Sequence, residues 1–222
     1  MRGVFVTSTG TGAGKTTITA SLARLLRARG LSPCALKPLE TGVDPVPADA
    51  LALAEACGRP ELATMADWYR ARSPVSPYAA TLEGHPPPDL DRLVAALRRT
   101  ASGGYALIEG AGGLLVPLDR HHTTADLAAR LGLPILLVVP DRLGVLSDTL
   151  SIVASAAQAG LSPCALVLSR ASNPPDPSAR FNAHILSERL DFPVVVAPWS
   201  RTSSDLDTAL AESPLLERLA SL

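Results

Sequence analysis

The sequence predicts a doubly wound α/β fold, a mostly parallel sheet with helices on both faces, on two observations. Short unbroken apolar runs recur along the chain, and segments with apolar residues at helical spacing lie between them. Unbroken runs suit strands buried on both faces, and alternation with helices supplies the crossovers that parallel pairing needs. A length of 222 residues predicts a single domain, at roughly 100 to 200 residues per domain.

The first run, residues 3–6, passes through a glycine-rich turn into a helix whose apolar face carries Ile18, Leu22, Leu25 and Leu26. Gly30 stands where a helix end favours a left-handed residue, and residues 34–36 form the second strand. A helix is predicted over 49–57. Residues 59–88, rich in Pro, Ala and Ser and without a clean period, read as a long connection with at most one short helix; loops of that length are uncommon unless functional. Leu90, Leu93, Val94 and Leu97 mark the next helix, and residues 105–108, 135–139, 164–168 and 194–197 the remaining strands. A helix starts at residues 123–126, and another runs from the turn at 141–148 to about 159. Leu-Ser-Pro-Cys-Ala-Leu occurs at 31–36, after Gly30, and again at 161–166, after Gly160. The echo predicts two equivalent helix-to-strand turns.

Composition narrows the function classes. With 47% hydrophobic and 18% charged residues the chain reads as globular rather than disordered. Twenty basic against 21 acidic side chains leave a net charge of −1, without the electrostatic footprint of a nucleic-acid or anionic-membrane binder. The densest apolar stretch, residues 133–140, is far shorter than the ~18 residues a membrane span requires. No secretory pattern is evident, and a cytoplasmic location is expected. Cys34, Cys57 and Cys164 include no CxxC pair and read as small buried residues in a reducing compartment. Only two of the twenty basic residues, Lys15 and Lys37, are lysines, so each invites a specific explanation.

The first strand leads into Thr7-Ser8-Thr9-Gly10-Thr11-Gly12-Ala13-Gly14-Lys15-Thr16-Thr17 and then directly into a helix. That context suits a phosphate-binding loop of the P-loop NTPase type. Glycines let backbone N–H groups turn onto a polyanion, the helix N-terminus adds its positive end, Lys15 reaches the β and γ phosphates, and the Thr16 hydroxyl ligates Mg²⁺. The strict GxxxxGK[ST] pattern is not met, because Thr9 stands at its first glycine. The second strand ends in Leu36-Lys37-Pro38-Leu39-Glu40-Thr41-Gly42, and in a parallel sheet Lys37 emerges at the same edge as the loop. Another strand ends in Glu109-Gly110-Ala111-Gly112-Gly113, which places an acidic Mg²⁺ ligand at that edge and glycines for close approach to a ligand. Asp49 reads either as a helix N-cap or, with Thr16 and Glu109, as a third oxygen ligand. His121 and His122 read as solvated loop residues.

These segments, together with Asp49-Ala50-Leu51-Ala52-Leu53, Ala125-Asp126-Leu127, Leu133-Pro134, Val138-Val139, Leu143-Gly144 and Ala197-Pro198-Trp199, resemble the dethiobiotin synthetase family over nearly the whole chain. The resemblance implies that 7,8-diaminopelargonic acid, CO2 (or bicarbonate as its source) and MgATP give dethiobiotin, ADP and phosphate. It implies catalytic roles for Lys15 and Lys37, whose removal is expected to cost turnover and barely affect folding. Nucleotide contacts are implied for Thr9, Gly10, Thr11, Gly12, Ala13, Gly14, Lys15, Thr16, Thr17, Ser169 and Pro198, and Mg²⁺ contacts for Thr16, Asp49 and Glu109. Substrate contacts are implied for Thr11, Lys37, Thr41, Gly112 and Gly113. It also implies a homodimer in which the turn at 141–148 binds the substrate's distant carboxylate from the partner subunit, with Val145, Leu146 and Ser147 at the contact. From the residues alone that segment equally reads as a buried helix start capped by Ser147, and Asp148 would repel a carboxylate unless turned away.

Two departures stand out. Gly12 occupies a position that is often acidic in the family, and Ser169-Arg170 stand where the family tends to place an adenine-reading Asn. A single hydroxyl cannot donate and accept as an amide does, so weak discrimination among nucleotide bases is expected. Two other classes remain open at this stage: a related ATP-dependent amidoligase or cyclo-ligase, and a partition or targeting switch ATPase. The switch class usually adds a second lysine near the start of the loop, where this chain has Ser8 and Thr9.

Overall fold

Six strands pair side by side in the order β2-β5-β1-β6-β7-β8, all parallel, in a computed structural model that describes residues 1–222. They are β1 (Arg2–Thr7), β2 (Pro33–Leu36), β5 (Tyr105–Glu109), β6 (Ile135–Pro140), β7 (Pro163–Ser169) and β8 (Val194–Ala197). Each contains one of the six apolar runs. The central strands are buried along nearly their whole length, as a sheet covered on both faces demands.

The crossovers reverse direction beside β1. α1 (Lys15–Ala28) carries the chain from β1 out to β2, whereas α5 (Thr124–Leu131), α6 (Val145–Gln158) and α7 (Ala179–Arg189) lead towards β8. Right-handed crossovers in opposite directions put helices on opposite faces. α1 packs on α2 (Ala48–Cys57) and α8 (Ser203–Ala211), and α8 on α9 (Leu215–Ala220). On the other face α4 (Leu90–Thr100) packs on α5, and α6 on α7. One connected cluster of 62 buried residues fills both interfaces.

The two echoed turns are equivalent. Gly30 and Gly160 have φ of 78° and 68°, and the next residues, Leu31 and Leu161, donate to the carbonyls of Leu26 and Ala156, five positions back in each case. This is the left-handed helix exit expected of glycine there.

Residues 59–88 differ from expectation. They hold a 3₁₀ turn (Pro60–Thr64), a strand β4 (Tyr69–Ala71) and a helix α3 (Pro77–Leu82). β4 pairs in parallel with β3 (Leu39–Thr41), a strand inside what the sequence presents as a loop after Lys37. Elements of three to six residues are too short to establish a period, so composition dominated the reading. The helices α7, α8 and α9 likewise had no counterpart in the sequence reading. No helix is long and apolar enough to cross a membrane.

Candidate active site

The sheet's C-terminal edge at the β1 crevice is built by the ends of β1, β2 and β5. At Gly14 (φ 87°) the chain enters α1 without a side-chain cap, leaving backbone donors at the helix start. The Ser8 hydroxyl has the carbonyls of Gly10 (2.5 Å) and Gly112 (3.0 Å) as acceptors for its one proton, and Leu114 N–H donates to the Ser8 carbonyl (3.1 Å). Ser8 therefore ties the glycine loop to the turn after β5. Lys15 folds back over this loop, donating to Ser8 Oγ (2.9 Å) and the Gly10 carbonyl (3.0 Å). Burial lowers its pKa to about 8; the nearby Lys37 ammonium also lowers it, while Glu109 and Asp49 pull it upward.

Glu109, fully buried at the end of β5, gathers the other predicted residues. Its Oε1 accepts from Lys37 Nζ (2.5 Å) and from the Thr16 hydroxyl (2.8 Å), and Lys37 Nζ also lies 3.1 Å from Asp49 Oδ2. Burial alone would depress the Lys37 pKa, but Glu109 and Asp49 outweigh it and hold the ammonium above its ordinary value. Lys37 is therefore a permanent cation and Lys15 a tunable one.

Asp49 is not the helix N-cap. The cap position of α2 is Pro47, which offers no side-chain acceptor, and Asp49 stands in the first turn. The amides there are received by Glu40, whose carboxylate accepts from Asp49 N–H (2.9 Å) and Ala50 N–H (3.1 Å). Freed from capping, the Asp49 side chain faces Lys37.

A divalent cation fits this corner. Glu109 Oε2 is buried without a partner, and an orphaned carboxylate oxygen beside a hydroxyl is the donor set a hard cation prefers. No three His, Cys, Asp or Glu side chains converge tightly enough to hold a metal by themselves. That matches a cation completed by phosphate oxygens and water rather than caged by protein.

Two clefts flank the glycine loop. One of about 370 Å³ is lined by Gly12, Ala13, Gly14, Thr17, Ser169 and Pro198 together with Arg170, Trp199 and Arg201, and so gathers many of the residues expected at the nucleotide. Ser169 Oγ lies only 2.6 Å from where a Cβ on Gly14 would stand, so its hydroxyl covers the loop backbone. Arg170 turns aside, donating from Nε to the buried Asp141 carboxylate (2.9 Å), which also accepts from Asn182 Nδ2 (2.9 Å). The other cleft, about 780 Å³, runs from residues 8–13 past Gly113, Leu114 and Leu115 to Arg142, Asp148, Ser151, Ile152 and Ser155. Gly12, Ala13 and Pro140 border both.

Several residues expected at the substrate line neither cleft of the single chain. Val145 is fully buried in the core and lines neither cleft; it lies on the buried α6 face with Thr149, Ile152 and Ala156, of which only Ile152 reaches the large cleft. Leu146 is half-buried and Ser147 exposed; neither lines the large cleft, and the helix is entered through Gly144 (φ 93°) rather than capped by Ser147. The large cleft meets α6 at Asp148, which the sequence marks as adverse to a carboxylate, and further along at Ser151, Ile152 and Ser155, to which no sequence signal points. Asp148 is paired with Arg142 (3.1 Å). Thr41, half-buried on β3, also stands outside that lining. The glycines after Glu109 serve the protein first: a Cβ on Gly110 would meet Thr124 and Phe5 at 2.8 and 3.0 Å, and one on Gly113 the Ser8 and Thr9 backbone at 3.1 Å. His122 is only partly solvated, its ring nitrogen 2.9 Å from Asp119, and the three cysteines are free and buried.

A parallel doubly wound sheet with a phosphate loop after its first strand, and a basic and an acidic strand end beside it, defines a P-loop nucleoside triphosphate-dependent enzyme. The family model described as an AAA domain matches residues 2–204. An ATP-dependent dethiobiotin synthetase from Anaeromyxobacter dehalogenans (strain 2CP-1) is 42% identical over 204 residues, covering 90% of this chain and 91% of the relative. One from Caulobacter vibrioides (strain NA1000) is 42% identical over 183 residues, covering 79% and 83%. The chain belongs to the dethiobiotin synthetase family. Among solved structures, the septum site-determining protein MinD with Mg-ADP from Pyrococcus horikoshii superposes with a TM-score of 0.56 at 20% identity, over 98% of this chain and 92% of that one. The cell-division ATPase MinD of Pyrococcus furiosus gives 0.55 at 19%, over 100% and 98%. These two share the fold.

Proposed function

We propose that this chain makes dethiobiotin from 7,8-diaminopelargonic acid, CO2 and ATP. One amine of the substrate adds to CO2 and loses a proton, giving a carbamate. A carbamate oxygen takes the γ-phosphoryl group as the bond to ADP breaks. The second amine then attacks the carbamoyl carbon, expels phosphate and closes the cyclic urea. The observation that carries the reading is Glu109 receiving both Lys37 and Thr16 beside the glycine loop.

Phosphoryl transfer needs charge neutralised on the transferring oxygens and reactants held in line more than it needs a strong base. Lys37, fixed as an ammonium, neutralises the γ-phosphate. Lys15 turns from Ser8 and Gly10 to the β and γ phosphates as they occupy the loop. Thr16, Glu109 and Asp49 hold Mg²⁺, which when bound supplies further positive charge on the phosphate oxygens. Thr11, exposed on the wall of the large cleft, and Thr41 position the diamine. The chain acts as a homodimer in the cytoplasm, the turn at 141–148 and the helix it leads into meeting the partner through Leu143 (76% exposed), Leu146 and Leu150. Sedimentation showing a fully active monomer at assay concentration would remove that part.

The switch reading draws no support from the loop, since Ser8 and Thr9 stand where that class usually adds lysine; an amidoligase would share the Lys37 and Glu109 segments and is separated by the substrate the reaction requires. Phosphate release from MgATP, measured with and without the diamine and bicarbonate, tests the reaction. Release requiring both is expected; release indifferent to the diamine would refute the reading.

A further inference from the structure

We infer that Glu40 is a positioning residue for the reaction proposed above, acting through Asp49 on the cation side of the site. Glu40 is 7% exposed, an unusual degree of burial for a carboxylate on a three-residue strand. Both its oxygens are spent on the first turn of α2: Oε1 on Asp49 N–H and Oε2 on Ala50 N–H. That helix starts at Pro47 with no side-chain cap of its own, so its cap comes from another element. A carboxylate spanning two free amides at the positive end of a helix fixes where that end sits.

The placement matters because of what lies at each end of the link. Glu40 stands three residues after Lys37, and its carboxylate grips the residue whose side chain is 3.1 Å from Lys37 Nζ. Lys37, Pro38, Leu39, Glu40 and Asp49 thus form a closed ring of covalent and polar links. The packing of α2 on α1 and β2 sets where the helix lies, and Glu40 adds the polar link that ties its first turn to the strand end carrying Lys37. On the far side, Glu40 faces Arg70 across the β3–β4 pairing. Arg70 does not pair with it: its guanidinium donates to the Tyr69 (2.9 Å) and Ala63 (3.2 Å) carbonyls, and the Glu40 charge reaches it only through space, offsetting part of the lowering that burial imposes on its pKa. The inference assigns Glu40 no contact with substrate or nucleotide.

The test compares native protein with Glu40→Ala, Asp49→Asn and the double variant. Mn²⁺ binding to each protein in the presence of ADP is followed by the loss of the free-ion paramagnetic resonance signal. Loss of a residue that orients a ligand typically costs about 10- to 100-fold in metal affinity or activity. Glu40→Ala is expected to weaken Mn²⁺ binding about tenfold and to lower kcat similarly with KM for ATP little changed. A residue acting only through Asp49 adds no more than about twofold to Asp49→Asn. A purely structural role would multiply the two losses instead, and that result overturns the inference, as does native Mn²⁺ affinity in Glu40→Ala. If the alanine variant does not fold, Glu40→Gln, which keeps one acceptor oxygen, takes its place; an intermediate affinity supports the inference and a native one refutes it. Mn²⁺ binding with ADP needs no diamine, so failure of the dethiobiotin reading would appear only in the turnover arm.

Discussion

Lys37 and Glu109 form a buried ion pair, 2.5 Å between Nζ and Oε1, the lysine 6% exposed and the carboxylate not at all. Thr16 and Asp49 meet the same two groups. The electrostatic centre of the site is thus also a piece of its interior.

Lys37→Ala is expected to lower turnover at least about a hundredfold, the scale of removing one electrostatic stabiliser. The sequence alone leads to the expectation that folding is barely affected, whereas the buried pair predicts a loss of stability as well. Removing the ammonium strands the Glu109 charge, at a cost of about 3 kcal/mol. Lys15→Met behaves oppositely, since burial already disfavours that charge. Urea unfolding should show Lys37→Ala less stable than native and Lys15→Met at least as stable at pH 7. Equal stability of Lys37→Ala and native protein would contradict the pair's structural role.

Lys15 predicts a pH signature for nucleotide binding. With its pKa at about 8, it loses its proton in the free enzyme as pH rises through that value, whereas a bound triphosphate favours the ammonium and raises the pKa. Binding therefore takes up a proton above pH 8 and little below pH 7. Calorimetry in buffers of differing ionisation enthalpy measures the uptake, which should vanish in Lys15→Met. Linkage gives stability the same sign: the unfolded lysine, at 10.5, holds its proton longer, so this group's contribution to stability rises with pH between about 8 and 10.5.

Base tolerance is the third expectation. Ser169 lies over Gly14 and Arg170 is held by Asp141, so neither side chain presents a matched donor and acceptor to a base edge. Values of kcat/KM for CTP and GTP should approach that for ATP. A strong preference for ATP would mean that backbone groups around Pro198 and Trp199 read adenine.

The large cleft predicts a contrast on α6. Ser151→Trp, on the cleft wall, should raise KM for the diamine about tenfold or more while leaving KM for ATP unchanged, as expected where only bound-substrate contacts are lost. Val145→Trp overpacks a fully buried position and should cost about 1–3 kcal/mol of stability instead. Steady-state kinetics and thermal unfolding on both variants check the pair.

The sheet was legible because six buried strands leave six unbroken apolar runs, and the site because Lys15, Lys37 and Glu109 each follow directly on such a run or its turn. What stayed hidden were relations that carry no local period. β3 and β4 are too short to show one, and Glu40 reaches its partners across a turn. The burial of Val145 was hidden too, because a turn gives a residue's position in the chain but not the azimuth of its side chain around the helix. The few lysines in an arginine-rich chain were the sharpest signal: both are 6% exposed, at the same sheet edge.

The wall between the two clefts is thin, and no long side chain stands in it. Gly12 and Ala13 face both sides, and a Cβ on Gly12 would meet nothing within 4 Å. With the nucleotide in the smaller cleft and the diamine in the larger, as the proposed function would have it, the two meet across one ply formed by Gly12, Ala13 and Pro140, with no long side chain between them to absorb a shift. Whatever stiffness one ligand lends that ply the other inherits, and thermodynamic reciprocity requires each to change the other's affinity by the same factor.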